Sequence, residues 1–284
     1  MAVSLHEFVK GHEYLICVDS DGCAVDTMDI KHKRCFGPCM VQEWNLSTWE
    51  KPILARWDEI NLYSTTRGIN RFKGLAMALA EINERYVPID GVEALCRWAA
   101  EAKELSNLAL EKLLEKGADP IFRKALHWSR EVNKAIGKLP WEVKKAFTGV
   151  REGFEAVKPF ADIAIVSSAN RDAVEEEWIK FGLMDLVDIV LCQDEGSKAH
   201  CIAELKKKGY ADDHILMVGD APGDKSAAES NGVFYYPILV HHETESWEEF
   251  PQAAARFRDG TYRDYGEKKA RAFLANLSEK GNTV

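Results

Sequence analysis

Four short apolar runs mark the chain, at 15–18, 163–166, 186–192 and 215–218, and each stops abruptly in polar residues. Such runs are the pattern of strands covered on both faces, as in a parallel sheet. A fifth run, 233–240, contains Pro237, which lacks a ladder N–H and favours a sheet edge or a strand end. Between Thr27 and Ile163 no strand pattern appears. Apolar residues instead recur every three or four positions over 72–85, 91–116 and 120–136, predicting helices. Pro88, Gly117 with Pro120, and Gly137 with Pro140 punctuate them. Trp44, Trp49, Trp57, Trp98, Trp128 and Trp141 all fall here, enough large aromatics for the insert to build its own core.

The pattern therefore predicts an α/β chain: a parallel sheet whose first strand is separated from the rest by an all-helical insert. The expected boundaries are 1–28 for the first part of the core, 29–148 for the insert and 149–240 for the second part. A C-terminal extension, 241–284, is expected to pack on the core through Phe257, Tyr262, Tyr265, Phe273 and Leu277. Within it 243–249 reads as a solvated acidic turn. His241 and His242 read as an edge pair, because adjacent residues on a strand point apart.

The polar residues that end the strands carry the candidate chemistry. Asp19-Ser20-Asp21-Gly22 follows the first run, placing two carboxylates where open α/β sheets keep their ligand crevice. Gly22 lets the chain turn sharply. Gly219-Asp220 follows the fourth run, and Asp224 comes after a Pro222-Gly223 turn, with a helix expected over 225–231 and ending at Gly232. Clustered carboxylates repel unless a cation lies among them, which points to a metal ion. Ser167-Ser168 ends the second run and leads into a helix from about Asp172, a place for hydroxyl and N–H groups to meet an anion. Lys198 opens the helix after the third run and can neutralise both the aspartates and a phosphate.

Composition narrows the classes. In 284 residues, 46% are hydrophobic and 29% charged, as in ordinary globular domains. A net charge of -9 argues against a nucleic-acid partner. No apolar stretch reaches membrane-spanning length, so no membrane partner is expected. The amino terminus has no basic region followed by an apolar core, so no secretory signal is expected. Seven cysteines without a Cys-x-x-Cys pair suit a reducing cytoplasm, and Cys35 and Cys39 read as packing residues.

In this order Asp19-Ser20-Asp21-Gly22, Ser167, Lys198, and Gly219-Asp220 with Asp224 resemble the four motifs of the haloacid dehalogenase superfamily, in its phosphatase branch. The likeness covers 12–28 and about 150–240. It implies a Rossmann-like parallel-sheet core with an inserted all-α cap domain. It also implies a Mg²⁺-dependent phosphohydrolase acting on a small phosphorylated metabolite through an aspartyl-phosphate. By that resemblance Asp19 is the nucleophile, and Asp21 protonates the leaving group and later deprotonates water. Mg²⁺ is held by the Asp19 carboxylate, the Asp21 backbone carbonyl and Asp220, while Asp224 supports the ion's outer shell or holds Lys198. Ser167 and Lys198 grip the phosphoryl group, and Ser168 and Asn170 are further substrate contacts.

Asp21 discriminates within the superfamily, since dehalogenases need no general acid there. Two alternatives stay open: a phosphosugar mutase of the same superfamily, and a non-catalytic binding protein on the same fold. The substrate is expected to be chosen by the cap. There Arg67 and Arg71 lie near a helix start, where cations conflict with the helix dipole unless an anion is bound.

Overall fold

A computed structural model describes residues 4–280 of the protein. Its five strands, β1 (Tyr14–Val18), β2 (Ala161–Val166), β3 (Ile189–Leu191), β4 (Ile215–Gly219) and β5 (Phe234–Pro237), form one parallel sheet in the order β3-β2-β1-β4-β5. The helices are α1 (Met28–Lys31), α2 (Gly37–Glu43), α3 (Glu50–Asp58), α4 (Arg71–Arg85), α5 (Val92–Glu101), α6 (Asn107–Glu115), α7 (Pro120–Gly137), α8 (Val150–Val157), α9 (Arg171–Lys180), α10 (Lys198–Lys206), α11 (Pro222–Asn231), α12 (Glu243–Arg258) and α13 (Arg263–Lys280). The chain divides into two compact units, one formed up to Met28 and from Lys144 onward, the other by Asp29–Val143.

In the sheet unit, β1 occupies the centre. Leu15, Ile16, Cys17 and Val18 are all fully buried, which an unbroken apolar strand requires. Val18 pairs with Ile165 of β2 and with Val218 of β4. All strands run parallel, so Asp19, Ser167 and Asp220 leave the sheet at its carboxyl end, within about one residue of the same level.

Two strands are shorter than the apolar runs suggest. β3 begins at Ile189 because Asp188 turns its carboxylate to Lys158 Nζ, at 2.6 Å, and to the Ile163 N–H, at 2.8 Å. β5 lies at the sheet edge and stops at Pro237, which has no N–H to continue the ladder.

The acidic segment 243–249 is not a solvated turn: it forms the first half of α12. Trp247, Phe250, Ala254 and Phe257, spaced three and four apart, are buried in the core cluster around the sheet. The acids Glu243 and Glu245 fall in the first turn, where the helix dipole favours negative charge. Phe273 and Leu277 of α13 are buried too, and the hydroxyl of Tyr262, between the two helices, donates to Tyr235 O at 2.8 Å.

The second unit is all-helical. Its core joins Phe36, Trp57, Phe72, Leu75, Leu79, Leu95 and Trp128. Trp57 and Trp128 meet edge to face at 6.0 Å, and Trp128 Nε1 donates to Phe36 O at 3.2 Å, so the buried indole is not left unsatisfied. Two segments, His32–Phe36 and Glu59–Tyr63, widen into π-turns. The single helix expected over 91–116 is two. Ala102 turns to an extended conformation after α5, and Ser106 starts α6 afresh by accepting the Ala109 N–H at 3.1 Å. Among the described residues no helix is long and apolar enough to cross a membrane.

Candidate active site

Three strand ends and one helix start build the site. The Asp19 N–H bonds Val218 O at 3.0 Å, so the backbone of Asp19 still belongs to the sheet while its side chain is beyond it. A tight turn follows. Ser20 O accepts the N–H groups of Cys23, Ala24 and Val25, and Gly22 takes the left-handed φ of +83° that closing this turn requires. The turn leaves Asp21 half-buried, and Thr27 Oγ1 donates to Asp21 Oδ1 at 2.6 Å.

On the other side of β1, β4 ends in Gly219, and a Cβ at that position would meet Asp224 Cγ at 2.3 Å. Glycine is needed here so that the α11 carboxylate can lie against the strand. Asp224 Oδ2 also accepts the Ala221 N–H at 3.0 Å, fixing the first turn of α11. Carboxylate oxygens of Asp19, Asp220 and Asp224 come within 4.8 Å of one another, and all three residues are buried. Lys198, at the start of α10, places Nζ 2.7 Å from Asp19 Oδ2 and 2.6 Å from Asp224 Oδ1.

The electrostatics follow from this crowding. Burial raises the Asp19 carboxyl, and the Lys198 ammonium pulls it back while Asp224 pushes it up again. Asp224 is raised in the same way by burial, with Lys198 opposing and Asp220 reinforcing. Burial works against the Lys198 charge, but Asp19 and Asp224 outweigh it and hold the ammonium protonated. Three carboxylates against one ammonium leave the cluster net negative. Its donors are hard oxygens, a set that fits a small divalent cation better than a soft metal. The buried cluster can therefore hold a metal ion.

The remaining sequence candidates are placed as follows. Ser167 is buried at the end of β2, and its Oγ accepts the Ala169 N–H at 3.2 Å. Ser168 is exposed, and Asn170 is the N-cap of α9, accepting from Ala173 N at 3.3 Å. Arg67 and Arg71 belong to the helical unit. Arg67 is only 3% exposed and donates to Leu62 O at 2.7 Å. Arg71 opens α4, lies over the Phe36 ring, and donates to Ser129 Oγ at 3.1 Å and Asn133 Oδ1 at 2.7 Å. Thr27 has no sequence signal of its own. Only the turn at 20–25 brings it back to Asp21.

Residues 95–237 match the sequence model of a family described as haloacid dehalogenase-like hydrolase. No curated protein sequence matches the chain significantly. Among solved structures, the chain is similar to a protein named by inference as a phosphoglycolate phosphatase from Lactobacillus delbrueckii subsp. bulgaricus. The two share 13% identity over 86% of this chain and 98% of that one, with a TM-score of 0.55. It is also similar to a haloacid dehalogenase-like family hydrolase from Xanthomonas campestris, with 14% identity over 89% and 96% of the two chains and a TM-score of 0.50. At these identities the likeness carries the fold alone.

Proposed function

The chain belongs to the haloacid dehalogenase-like hydrolases, and on that premise we propose that it hydrolyses the phosphate ester of a small metabolite with Mg²⁺. The observation that carries this reading is Lys198 bridging Asp19 and Asp224 beside Asp220, at the carboxyl end of the sheet. A binding protein has no use for a buried carboxylate held against an ammonium and two further acids. A phosphoryl-transfer site needs all of them, because the reaction is governed by positioning and by neutralising phosphate charge.

Asp19 is the nucleophile in this reading. One carboxylate oxygen attacks phosphorus, the bond to the leaving oxygen breaks, and Asp21 donates the proton that the departing alkoxide takes up. Water then attacks the aspartyl-phosphate, Asp21 takes a proton from it, and inorganic phosphate leaves. Thr27 holds Asp21 Oδ1, which orients the carboxyl without neutralising it. Ser167 and Lys198 hold the transferring group, and Ser168 and Asn170 border it on the same loop. Asp19, the backbone carbonyl of Asp21 and Asp220 would hold Mg²⁺, and Asp224 would support the ion's outer shell or hold Lys198. When bound, the ion withdraws negative charge from the phosphoryl oxygens. Arg67 and Arg71 are proposed to select the substrate from the cap. The seven cysteines are free thiols, which supports a reducing compartment such as the cytoplasm.

The test is release of inorganic phosphate from p-nitrophenyl phosphate and from a panel of phosphorylated metabolites, with Mg²⁺ and with EDTA. Turnover that needs Mg²⁺ and disappears in Asp19→Asn, with circular dichroism unchanged, is the expected result. Turnover surviving in that folded variant removes Asp19 as the nucleophile. Conversion of a hexose phosphate to its isomer, without phosphate release, would make the chain a mutase instead.

A further inference from the structure

Six of the eight tryptophans build the helical insert, and the other two, Trp178 and Trp247, converge on the loop that follows β1. Trp178 of α9 donates its indole N–H to Ser20 Oγ at 2.9 Å. Trp247 of α12 donates its own to Cys23 O at 2.8 Å. The two acceptors flank Asp21 and Gly22. Phe154 of α8 lies between the indoles, stacked on Trp178 at 5.7 Å and edge-on to Trp247 at 5.5 Å. All three rings are fully buried, as are Ser20 and Cys23. The residue before Trp178, Glu177, pairs with Lys144 at 3.2 Å, so α9 also holds the returning chain, and Asp26 N bonds Lys145 O at 2.8 Å beside it.

We propose that Trp178 and Trp247 are positioning residues, whose indole N–H groups, coupled through Phe154, hold the loop carrying Asp19 and Asp21 in its reactive shape. The proposal rests on the phosphatase reading for what the loop does, but not for how it is held. Ser20 links the Trp178 anchor to Asp19. Its N–H bonds Asp19 Oδ1 at 2.8 Å, its carbonyl closes the turn, and its hydroxyl takes the Trp178 bond. A shift of Ser20 therefore moves the nucleophile and the acid together. Buried indoles need a partner for their N–H, and the loop in turn gains two fixed anchors in a dry environment. Neither tryptophan reaches a reacting atom, so the effect is one of placement.

The experiment compares Trp178→Phe, Trp247→Phe, Ser20→Ala and the pair Trp178→Phe with Ser20→Ala. Phenylalanine keeps one aromatic ring and removes the donor together with part of the indole, so Ser20→Ala, which removes only the accepting hydroxyl, separates the lost bond from lost packing. Backbone hydrogen exchange over 20–25 reads the anchoring directly and is expected to quicken about tenfold in each variant, while the strands stay protected. With Mg²⁺ and p-nitrophenyl phosphate, kcat should fall about tenfold with KM within a factor of two, the mark of misplacement rather than lost binding. Because Trp178 and Ser20 share one bond, their effects should fail to add. Ser20→Ala disturbs no aromatic ring and keeps the test readable should a tryptophan variant not fold. Unchanged exchange in the folded variants overturns the anchoring. Quickened exchange with unchanged kcat overturns the catalytic placement. A wild-type protein that hydrolyses no ester removes the phosphatase reading, and the exchange result still decides the anchoring.

Discussion

Lys198 Nζ lies 2.6 Å from Asp224 Oδ1, a contact between the first residue of one helix and the third of the next. Asp224 is wholly buried and already accepts the Ala221 N–H with its other oxygen. It cannot swing to follow a displaced lysine. The pair therefore fixes where the ammonium meets Asp19. Lys198→Ala leaves two buried carboxylates facing each other and removes the cation that would hold the phosphoryl group. The expected loss in kcat is about 10²–10³-fold. Asp224→Asn should cost about tenfold and weaken Mg²⁺ binding measured by calorimetry, since Lys198 keeps its bond to Asp19. A Lys198→Ala enzyme within threefold of wild type would remove this cation from the mechanism.

Asp21 is half-buried, and Thr27 Oγ1 donates to its Oδ1 at 2.6 Å, which orients a carboxyl proposed to give and take a proton. Asp21→Asn should lower kcat about 10²–10⁴-fold on an alkyl phosphate. On p-nitrophenyl phosphate the loss should shrink, because that leaving group needs little protonation. Equal losses on both esters, accompanied by lost Mg²⁺ affinity, would make Asp21 a side-chain metal ligand instead.

In the helical unit Asp58 offers a pH test on a carboxyl that is not one of the three clustered aspartates. Burial raises its carboxyl to about 6, with the Lys33 ammonium opposing and Asp29 adding to the rise. The folded state thus binds this proton more tightly than the unfolded chain does. Above about pH 6 the charged form costs stability, and the cost fades as pH falls towards about 4. For a half-exposed group, solvent screening reduces it to about 1 kcal/mol. Asp58→Asn should raise the melting temperature at pH 7.5 and leave it unchanged at pH 4, as followed by tryptophan fluorescence. A variant no more stable than wild type at pH 7.5 would contradict the assignment.

Arg71 makes its hydrogen bonds to neutral groups, Ser129 and Asn133, and its guanidinium lies 5.0 Å from the Phe36 ring centre. Burial works against its charge, and an anion would relieve that. Arg71→Ala should raise KM for the best metabolite at least tenfold while p-nitrophenyl phosphate, lacking a second anionic group, shows little change. Asn133→Ala should act the same way but more weakly. Equal effects on both esters would make Arg71 a packing element of the helical core.

The sheet was legible because parallel strands buried on both faces must be continuously apolar, and Leu15–Val18 could hardly be anything else. The candidate carboxylates were legible because they end such strands. Other features depended on partners far along the chain. The acids of 243–249 read as a solvated turn, yet Trp247 gives that segment a buried face that only the folded core supplies. The break between Glu101 and Asn107 turns on Ser106 acting as a cap, one serine among several in that unit. The anchors on Ser20 and Cys23 come from residues 158 and 224 positions away, and no local pattern announces a bond of that kind.

The central place of β1 has a consequence for synthesis on the ribosome. Its neighbours begin at Ala161 and Ile215, so β1 waits until the helical unit has been translated before it meets its ladder partners. During that wait the helical unit, 29–143, emerges complete with its own core. Domains generally fold as units as they appear. The insert is then the first part to fold, and the apolar β1 segment is the exposed, aggregation-prone end until β4 arrives. Trp247 is made later still, so the loop after β1 gains its second indole anchor only after all five strands have been translated.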